Sequence, residues 1–156
     1  DEAWEPEEVD SLVHYVERGG LLVLANSARR VVFGRVFDPN EDWDGVNALS
    51  QRFGVTFTAG AWSAAAALVE GEHPLTQNTA GLIMIPGNGV HFTMTDGLVL
   101  AKADRQPAAG LVDYGTAGGQ VLVLADVGML GLAQLVPPES DNLGFLRNLA
   151  AYSRDH

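Results

Sequence analysis

The sequence predicts an α/β fold, and three observations support this prediction. An amphipathic helix is predicted over residues 6–18, and Gly19–Gly20 lead from it into LLVLA at 21–25. That run is continuously apolar, which is typical of a strand covered on both faces. GGQVLVLAD at 118–126 repeats the arrangement of glycines before an apolar run. A helix followed directly by a buried strand is typical of α/β proteins, and 156 residues suffice for one domain with its own core.

The first helix is predicted by its ends and by the spacing of its apolar residues. Pro6 suits the first turn, acidic residues follow near the positive end of the helix dipole, and Gly19 favours termination. The apolar residues recur at intervals of three and four positions, as on one face of a helix. They are Val9, Leu12, Val13 and Val16.

The segment after the first strand has a less regular pattern. Residues 27–37 fit either a short helix or an irregular crossover. Asn47 is predicted to cap a helix that runs through Phe53, where Gly54 would end it. VTFT at 55–58 then predicts a strand.

The second half of the chain predicts mainly short strands. Residues 62–70 are ambiguous, because their alanines favour a helix while their position favours an edge segment. Between residues 82 and 114, short apolar runs alternate with Gly, Asn and Asp, which predicts a β-rich portion. A last helix is predicted from Asp141 to Tyr152. Its apolar residues are Leu143, Leu146, Leu149 and Ala150.

Composition excludes several classes of function. The net charge of −11 argues against nucleic acid or an anionic membrane as partner, since phosphate groups bind clusters of Lys and Arg. The absence of cysteine excludes a disulfide, a thiolate zinc site and a cysteine nucleophile. No apolar run reaches the roughly 18 residues of a membrane span, so direct membrane insertion of this chain is not expected. Because DEAWEPEE lacks Met and a signal-peptide pattern, residues 1–156 are interpreted as a single domain of a longer protein.

Five segments, in their order along the chain, carry a resemblance to a known family. They are YVERGGLLVLAN, NALSQRFGVTF, HPLT, GGQVLVLADVGML and DNLGFLRNLAAY. Across residues 7–153 the chain resembles the class I glutamine amidotransferase-like superfamily. Within it, the similarity is to the non-catalytic branch found in gliding-motility and intraflagellar-transport proteins and in bacterial domains of unknown function. The resemblance implies an α/β, flavodoxin-like three-layer sandwich with a mostly parallel sheet, to which this chain adds a β-rich segment.

The chain departs from the family pattern at two places. The family begins with a strand before the first helix, whereas this chain starts at that helix, so its sheet is expected to lack the first strand. Catalytic members carry a nucleophilic cysteine at a strand-to-helix turn, where this chain has Asn26, Ser27 and Ala28. Because cysteine is absent and Ser27 lacks the small neighbours of a nucleophile elbow, amidotransferase activity is not expected.

A ligand-binding crevice is predicted where the two apolar strands end, since ligands of open α/β sheets bind outside the carboxyl ends of the strands. The candidate side chains could hold a sugar, or a metal together with a phosphate. They are Asn26, Ser27, Arg29, Asp126, Asp141 and Asn142. A structural interpretation is favoured over this one: Asn26 and Asp126 would satisfy loop backbone groups, and Asp141 would cap the last helix.

The stretch DPNEDWDGVN at 38–47 resembles the first half of a calcium-binding loop. Its oxygen-bearing residues include Asp38, Asn40, Asp42 and Asp44. An EF-hand loop needs a bidentate Glu at its twelfth position, and counting from Asn40 places the neutral Gln51 there. The stretch is therefore interpreted as a solvated acidic loop in which Asp44 or Asn47 caps the next helix. Weak calcium binding is the alternative, and no other cofactor is predicted.

The sequence favours a non-enzymatic module that binds a ligand or another protein, and the family resemblance implies an envelope-associated assembly as its setting. The alternative is a hydrolase or sugar-processing enzyme that uses the crevice around Asn26 and Asp126. An enzyme should show a deep pocket with a carboxylate of perturbed pKa, whereas a binding module should show a shallow crevice and an exposed apolar patch. Trp43 and Trp62 would favour an interaction surface if they were exposed together, although such tryptophans more often cover the edge of a core. Because a missing first strand leaves a sheet edge unpaired, we expect a protein partner or self-association.

Overall fold

Three helices lie in the part of the chain that the structure, a computed structural model, describes. The described residues are 4–26, 30–32, 35–37, 44–60, 62–87, 90–131 and 141–154. The helices are α1 (Pro6–Glu17), α2 (Asp44–Ser50) and α3 (Asp141–Tyr152). Short 3-10 turns occupy Gln51–Phe53, Pro74–Thr76 and Val127–Leu130.

Strands make up most of the regular structure. In chain order they are β1 (Leu21–Ala25), β2 (Arg30–Val32), β3 (Arg35–Phe37), β4 (Val55–Thr58), β5 (Ala66–Val69), β6 (Gly81–Ile83), β7 (His91–Met94), β8 (Leu98–Ala103), β9 (Gln106–Tyr114) and β10 (Gly119–Leu124). One sheet has the order β1-β10-β9-β8-β5-β6, and two separate pairs are β2–β3 and β4–β7. Within the six-stranded sheet, β1 and β10 are parallel and the other four pairings are antiparallel.

The prediction of a flavodoxin-like three-layer α/β sandwich with a mostly parallel sheet is wrong, because the described chain is β-rich and its main sheet is mixed. The reason lies in the connections. Strands β8, β9 and β10 follow one another through short turns, which join antiparallel neighbours, whereas parallel neighbours need a long crossover. Between β8 and β9, Asp104 and Arg105 have φ values of 46° and 67°, as in a type I′ hairpin turn.

Several local predictions are confirmed. Strands β1, β4 and β10 and helix α1 lie where the residue patterns place them, and α3 has the predicted bounds. The ambiguous segment 62–70 contains β5. The short helix and the irregular crossover considered for 27–37 are both wrong, since β2 and β3 form an antiparallel pair there. Both strands are rich in valine, which favours extended backbone.

Asn47 does not cap a helix as predicted, because α2 begins at Asp44 and Asn47 lies inside it. The Asn47 Oδ1 accepts a hydrogen bond from the Phe57 N–H at 2.8 Å, and its Nδ2 donates to the Phe57 carbonyl oxygen at 3.0 Å. Asn47 therefore ties α2 to β4. Its partner lies in another element, so the local capping pattern could not identify this role.

Both faces of the main sheet are covered around β10, which is buried along its whole length. On one face, a Cβ added to Gly119 would overlap the Val16 carbonyl oxygen, so α1 packs directly on β10. Gln120 points to the opposite face, because successive strand residues alternate. There its Oε1 accepts a hydrogen bond of 2.6 Å from the Tyr152 hydroxyl of α3. The sheet thus lies between α1 and α3.

Candidate functional site

Asp126 stands directly after β10 and is fully buried. Its Oδ1 accepts a hydrogen bond from the Gly128 N–H, and its Oδ2 accepts one from the Ile85 N–H, each at 2.8 Å. The first bond caps the Val127–Leu130 turn, and the second connects that turn to the segment after β6. The carboxylate therefore braces two loops, which is the structural alternative considered for this residue.

Asn26 lies beside Asp126, as predicted from the ends of β1 and β10. The Asn26 N–H donates to the Leu124 carbonyl oxygen at 3.2 Å, and the Asn26 carbonyl oxygen accepts from the Val127 N–H at 2.9 Å. These bonds extend the β1–β10 ladder past the ends of both strands. Ser27 and Arg29, the other candidates of this crevice, lie outside the described residues.

Asp141 and Asn142, at the start of α3, lie against the outer edge of β6. The Asp141 Oδ2 accepts hydrogen bonds from the Ala80 N–H at 2.8 Å and the Gly81 N–H at 2.9 Å. The Asn142 Oδ1 accepts from the Ile83 N–H at 2.6 Å, and its Nδ2 donates to the Ile83 carbonyl oxygen at 3.0 Å. Asn142 thus offers Ile83 the donor and acceptor that a neighbouring strand would offer. These two side chains close this edge of the sheet.

Asn142 also links this edge to the end of β10. Its Nδ2 donates to the Met129 carbonyl oxygen at 3.0 Å, and the side chain is fully buried. The structure therefore joins Asp126 and Asn142 through the Val127–Leu130 turn, and Asn26 contacts the same turn. The candidate residues are brought together, but their described contacts are with backbone groups of the protein itself.

An open cleft of about 790 Å³ lies beside this cluster. No ligand site is predicted from the sequence of this region, although its polar run EHPLTQNT is a visible signal. The cleft is lined by Gly71, Glu72, His73, Pro74, Thr76, Gln77, Asn78, Thr79, Ala80 and Asp141.

His73 is the titratable residue that holds one wall of the cleft in place. Its Nδ1 accepts a hydrogen bond of 3.2 Å from the Leu75 N–H, which caps the Pro74–Thr76 turn. Its ring lies 5.6 Å from the ring of Tyr152 in α3. Burial lowers the pKa of the imidazole below 6.5, and the Asp113 carboxylate opposes this shift. The neutral imidazole is therefore the form that fits the folded state.

We expect the protein to lose stability as the pH falls from 6.5 to the lower pKa that His73 has in the folded protein. The unfolded chain binds a proton at His73 more readily, so the His73 contribution to stability is complete above pH 6.5 and decreases below it. In His73→Asn, the amide oxygen can accept from the Leu75 N–H without titrating. Thermal unfolding at about pH 8 and about pH 5 should show a smaller fall in Tm for this variant. An equal fall in the wild type and in His73→Asn would contradict the assignment, and the exposed His14→Asn is the matched control.

The acidic stretch 38–47 is interpreted from its sequence as a solvated loop, with weak calcium binding as the alternative. Its residues 38–43 lie outside the described residues, which resume at Asp44. No group of three or more His, Cys, Asp or Glu side chains placed to hold a metal occurs among the residues that the structure describes. Calcium binding by Asp38, Asn40, Asp42 and Asp44 stays a prediction. Trp62, whose exposure together with Trp43 would have favoured an interaction surface, is buried, and its Nε1 donates to the Val90 carbonyl oxygen at 3.0 Å.

The opposite edge of the main sheet differs from the β6 edge. Strand β1 pairs with β10, and no other described strand pairs with it. The Gln120 N–H donates to the Gly20 carbonyl oxygen at 3.0 Å, and the β1–β10 register then directs the backbone groups of Leu22 and Leu24 towards β10. The N–H and C=O groups of Val23 and Ala25 therefore point away from the sheet.

The side chains of β1 are apolar, and an aromatic side chain of α1 lies beside them. Strand β1 carries no charge and no proline, and four of its five side chains are half-buried. Tyr15 of α1 is 46% exposed, and its hydroxyl donates to the Leu21 carbonyl oxygen at 3.4 Å. A second exposed apolar group lies at the β5–β6 end of the sheet, where Leu68 is 68% exposed and Ile83 is 39% exposed.

No known family profile matches the sequence, and no curated protein sequence matches it either. Solved structures do share its fold. The "mmIFT52 N-terminal domain" is 13% identical over 96% of this chain and 72% of that chain, with a TM-score of 0.62. An exo-β-1,4-mannosidase, Op5Man5, from Opitutaceae bacterium strain TAV5 is 17% identical over 97% of this chain, with a TM-score of 0.55. A β-galactosidase from Rahnella sp. R3 is 13% identical over 96% of this chain, with a TM-score of 0.57.

The chain spans 24% of the length of the mannosidase and 21% of the length of the β-galactosidase. At these identities the similarity concerns the fold alone, and the resemblance to the glutamine amidotransferase-like superfamily stays a prediction. No helix in the described part of the chain is long and apolar enough to cross a bilayer. The protein thus shares its fold with an N-terminal domain and with about a quarter or less of two enzymes.

Proposed function

We propose that this chain is a non-enzymatic protein-interaction module and that the outer edge of β1 is its binding surface. The observation that carries the proposal is the difference between the two edges of the main sheet. Asp141 and Asn142 close the β6 edge, whereas no described strand covers the β1 edge. The partner would add a β-strand to β1.

The composition of β1 supports this proposal. Natural sheets protect an exposed edge with charged residues, proline, a bulge or a covering segment, because an unpaired edge is a template for another strand. LLVLA has none of the first three. In strand addition, backbone hydrogen bonds supply affinity, and contacts made by alternate side chains of the added strand supply specificity. The outward groups of Val23 and Ala25, beside exposed Tyr15, provide both.

The environment of Asp126 also supports a module over the alternative enzyme. A general acid must come within hydrogen-bond reach of its substrate. The Asp126 carboxylate is fully buried and accepts hydrogen bonds from two backbone N–H groups. We therefore do not propose a hydrolase or sugar-processing enzyme centred on Asn26 and Asp126. The family resemblance extends the proposal to a module of an envelope-associated assembly.

A synthetic LLVLA peptide flanked by lysines tests the proposal directly. Fluorescence anisotropy should show that the labelled peptide binds the dilute wild-type protein. In Val23→Pro the outward N–H is lost while the β10 ladder is kept, since proline is tolerated where a strand faces away from its neighbours. Binding should weaken at least about tenfold in this variant, which corresponds to 1.4 kcal/mol.

Leu68→Lys is the matched control for this experiment, because it removes the most exposed apolar side chain at the other end of the sheet. This variant should bind the peptide as tightly as the wild type does. The proposal is wrong if the wild type does not bind the peptide, or if Val23→Pro binds it with unchanged affinity.

A further inference from the structure

We propose that the strand added at β1 comes from a second copy of this chain, paired antiparallel about a two-fold axis at Val23. This inference rests on the proposed function and names its partner. The two sheets would then form one continuous sheet across the seam, which is the contact between the two β1 strands. Dimers with two-fold symmetry use the same surface on each copy, so that surface must be complementary to itself.

The backbone of β1 meets this requirement. Leu21, Val23 and Ala25 are the residues whose backbone groups face away from β10. When a second β1 is reversed beside the first, Val23 faces Val23, and Leu21 faces Ala25. Facing residues of this kind exchange N–H···O=C bonds in an antiparallel pair. Each outward donor therefore meets an acceptor without any shift in register.

The side chains of β1 are compatible with this arrangement as well. All five are apolar, so no like charges are brought opposite each other across the seam. A one-residue shift in register would bring the inward-facing residues Leu22 and Leu24 opposite the partner strand. Their backbone groups already pair with β10, so a one-residue shift is excluded. A two-residue shift would pair only two of the three outward residues of β1, so the axis at Val23 gives the most hydrogen bonds.

Helix α1 adds charge complementarity to the seam. Residues 18–20 reverse the chain, so α1 runs antiparallel to β1. Glu8, Ser11, Tyr15 and Arg18 share one side of the helix, because their spacing is three and four residues. Tyr15 places this side next to Leu21. The two-fold axis then sets the Glu8 end of one α1 beside the Arg18 end of the other, and the two exposed Tyr15 rings at opposite ends of the seam.

Sedimentation velocity of the full chain over a wide concentration range tests the proposal. The buffer should contain about 0.15 M salt, which limits the range of the repulsion between two copies of net charge −11 to about 8 Å. At high concentration, the wild type should reach twice the monomer mass of 16.6 kDa. Val23→Pro and Arg18→Glu should each weaken dimer formation at least about tenfold. The double variant Arg18→Glu/Glu8→Arg should regain much of the lost affinity relative to Arg18→Glu. Circular dichroism should confirm that α1 remains helical in it, since the Glu8 Oε2 also accepts from the Glu5 N–H at 3.0 Å. Leu68→Lys should dimerise like the wild type.

Arg18→Glu keeps the test decisive if Val23→Pro fails to fold, because Arg18 is exposed and lies outside the strand. A wild type that stays at 16.6 kDa at every concentration overturns the second copy as partner. Dimers that persist in both single variants also overturn it. A monomeric wild type that binds the lysine-flanked peptide leaves the proposed function standing, whereas a monomer that does not bind the peptide removes both.

Discussion

Replacing Asp126 with alanine is expected to lower the free energy of unfolding by about 3 kcal/mol, because each buried N–H left without an acceptor costs about 1–3 kcal/mol. The two donors are the Gly128 N–H and the Ile85 N–H, and the side chain between them is fully buried. Urea unfolding followed by circular dichroism measures this change. Asp126→Asn keeps one acceptor oxygen and should lose roughly half as much stability.

Asp10→Ala is the matched control, since it also removes an aspartate carboxylate but from an exposed ion pair with Arg52. Exposed pairs contribute about 0–1 kcal/mol, so this variant should stay close to the wild type. If Asp126→Ala proved as stable as Asp10→Ala, the carboxylate would not be a structural brace. The crevice around Asn26 and Asp126 would then become the leading candidate for a ligand site.

Replacing Asn142 with alanine is expected to cost about 3 kcal/mol, because three hydrogen bonds of a fully buried amide are lost together. The same change removes the group that closes the outer edge of β6. Hydrogen exchange of the Ile83 N–H should therefore accelerate beyond what the loss of global stability explains. Urea unfolding and residue-resolved exchange measure the two effects separately.

Asn148→Ala provides the comparison within the same helix. The Asn148 Nδ2 donates to the carbonyl oxygens of Leu75 and Gln77, and its side chain is only half-buried. Water can replace those bonds, so the expected loss is about 1 kcal/mol. An Asn142→Ala variant with the stability of Asn148→Ala and unchanged exchange at Ile83 would show that the β6 edge is closed by something else.

The local elements could be predicted because their signals are local. Pro6 and Gly19 mark the ends of α1, and the apolar run of β10 marks a buried strand. The sheet type could not be predicted in the same way, since an apolar run fits a central antiparallel strand as well as a parallel one. The turn at Asp104 and Arg105 decides the β8–β9 connection. Asp104 suits the first position of a type I′ turn, but Arg105 stands where the signal normally has glycine.

The place of the candidate site could be predicted, but the roles of its residues could not. Asn26 and Asp126 follow parallel neighbouring strands, whose carboxyl ends lie side by side at the same end of the sheet. The backbone groups that they and Asn142 serve are far away in sequence. Ile85 lies 41 residues from Asp126, and Ile83 lies 59 residues from Asn142. Only the folded arrangement of β6 beside α3 and the end of β10 reveals that these side chains close an edge and brace a turn.

The most direct test of the binding surface is residue-resolved amide hydrogen exchange of the dilute protein with and without the lysine-flanked LLVLA peptide. Bound peptide should slow exchange at the Val23 and Ala25 N–H groups, which face away from β10. Exchange at Leu22 and Leu24 should stay slow in both conditions, because their N–H groups pair within the sheet. Unchanged exchange at Val23 and Ala25 under saturating peptide would contradict the proposal that the β1 edge binds another strand.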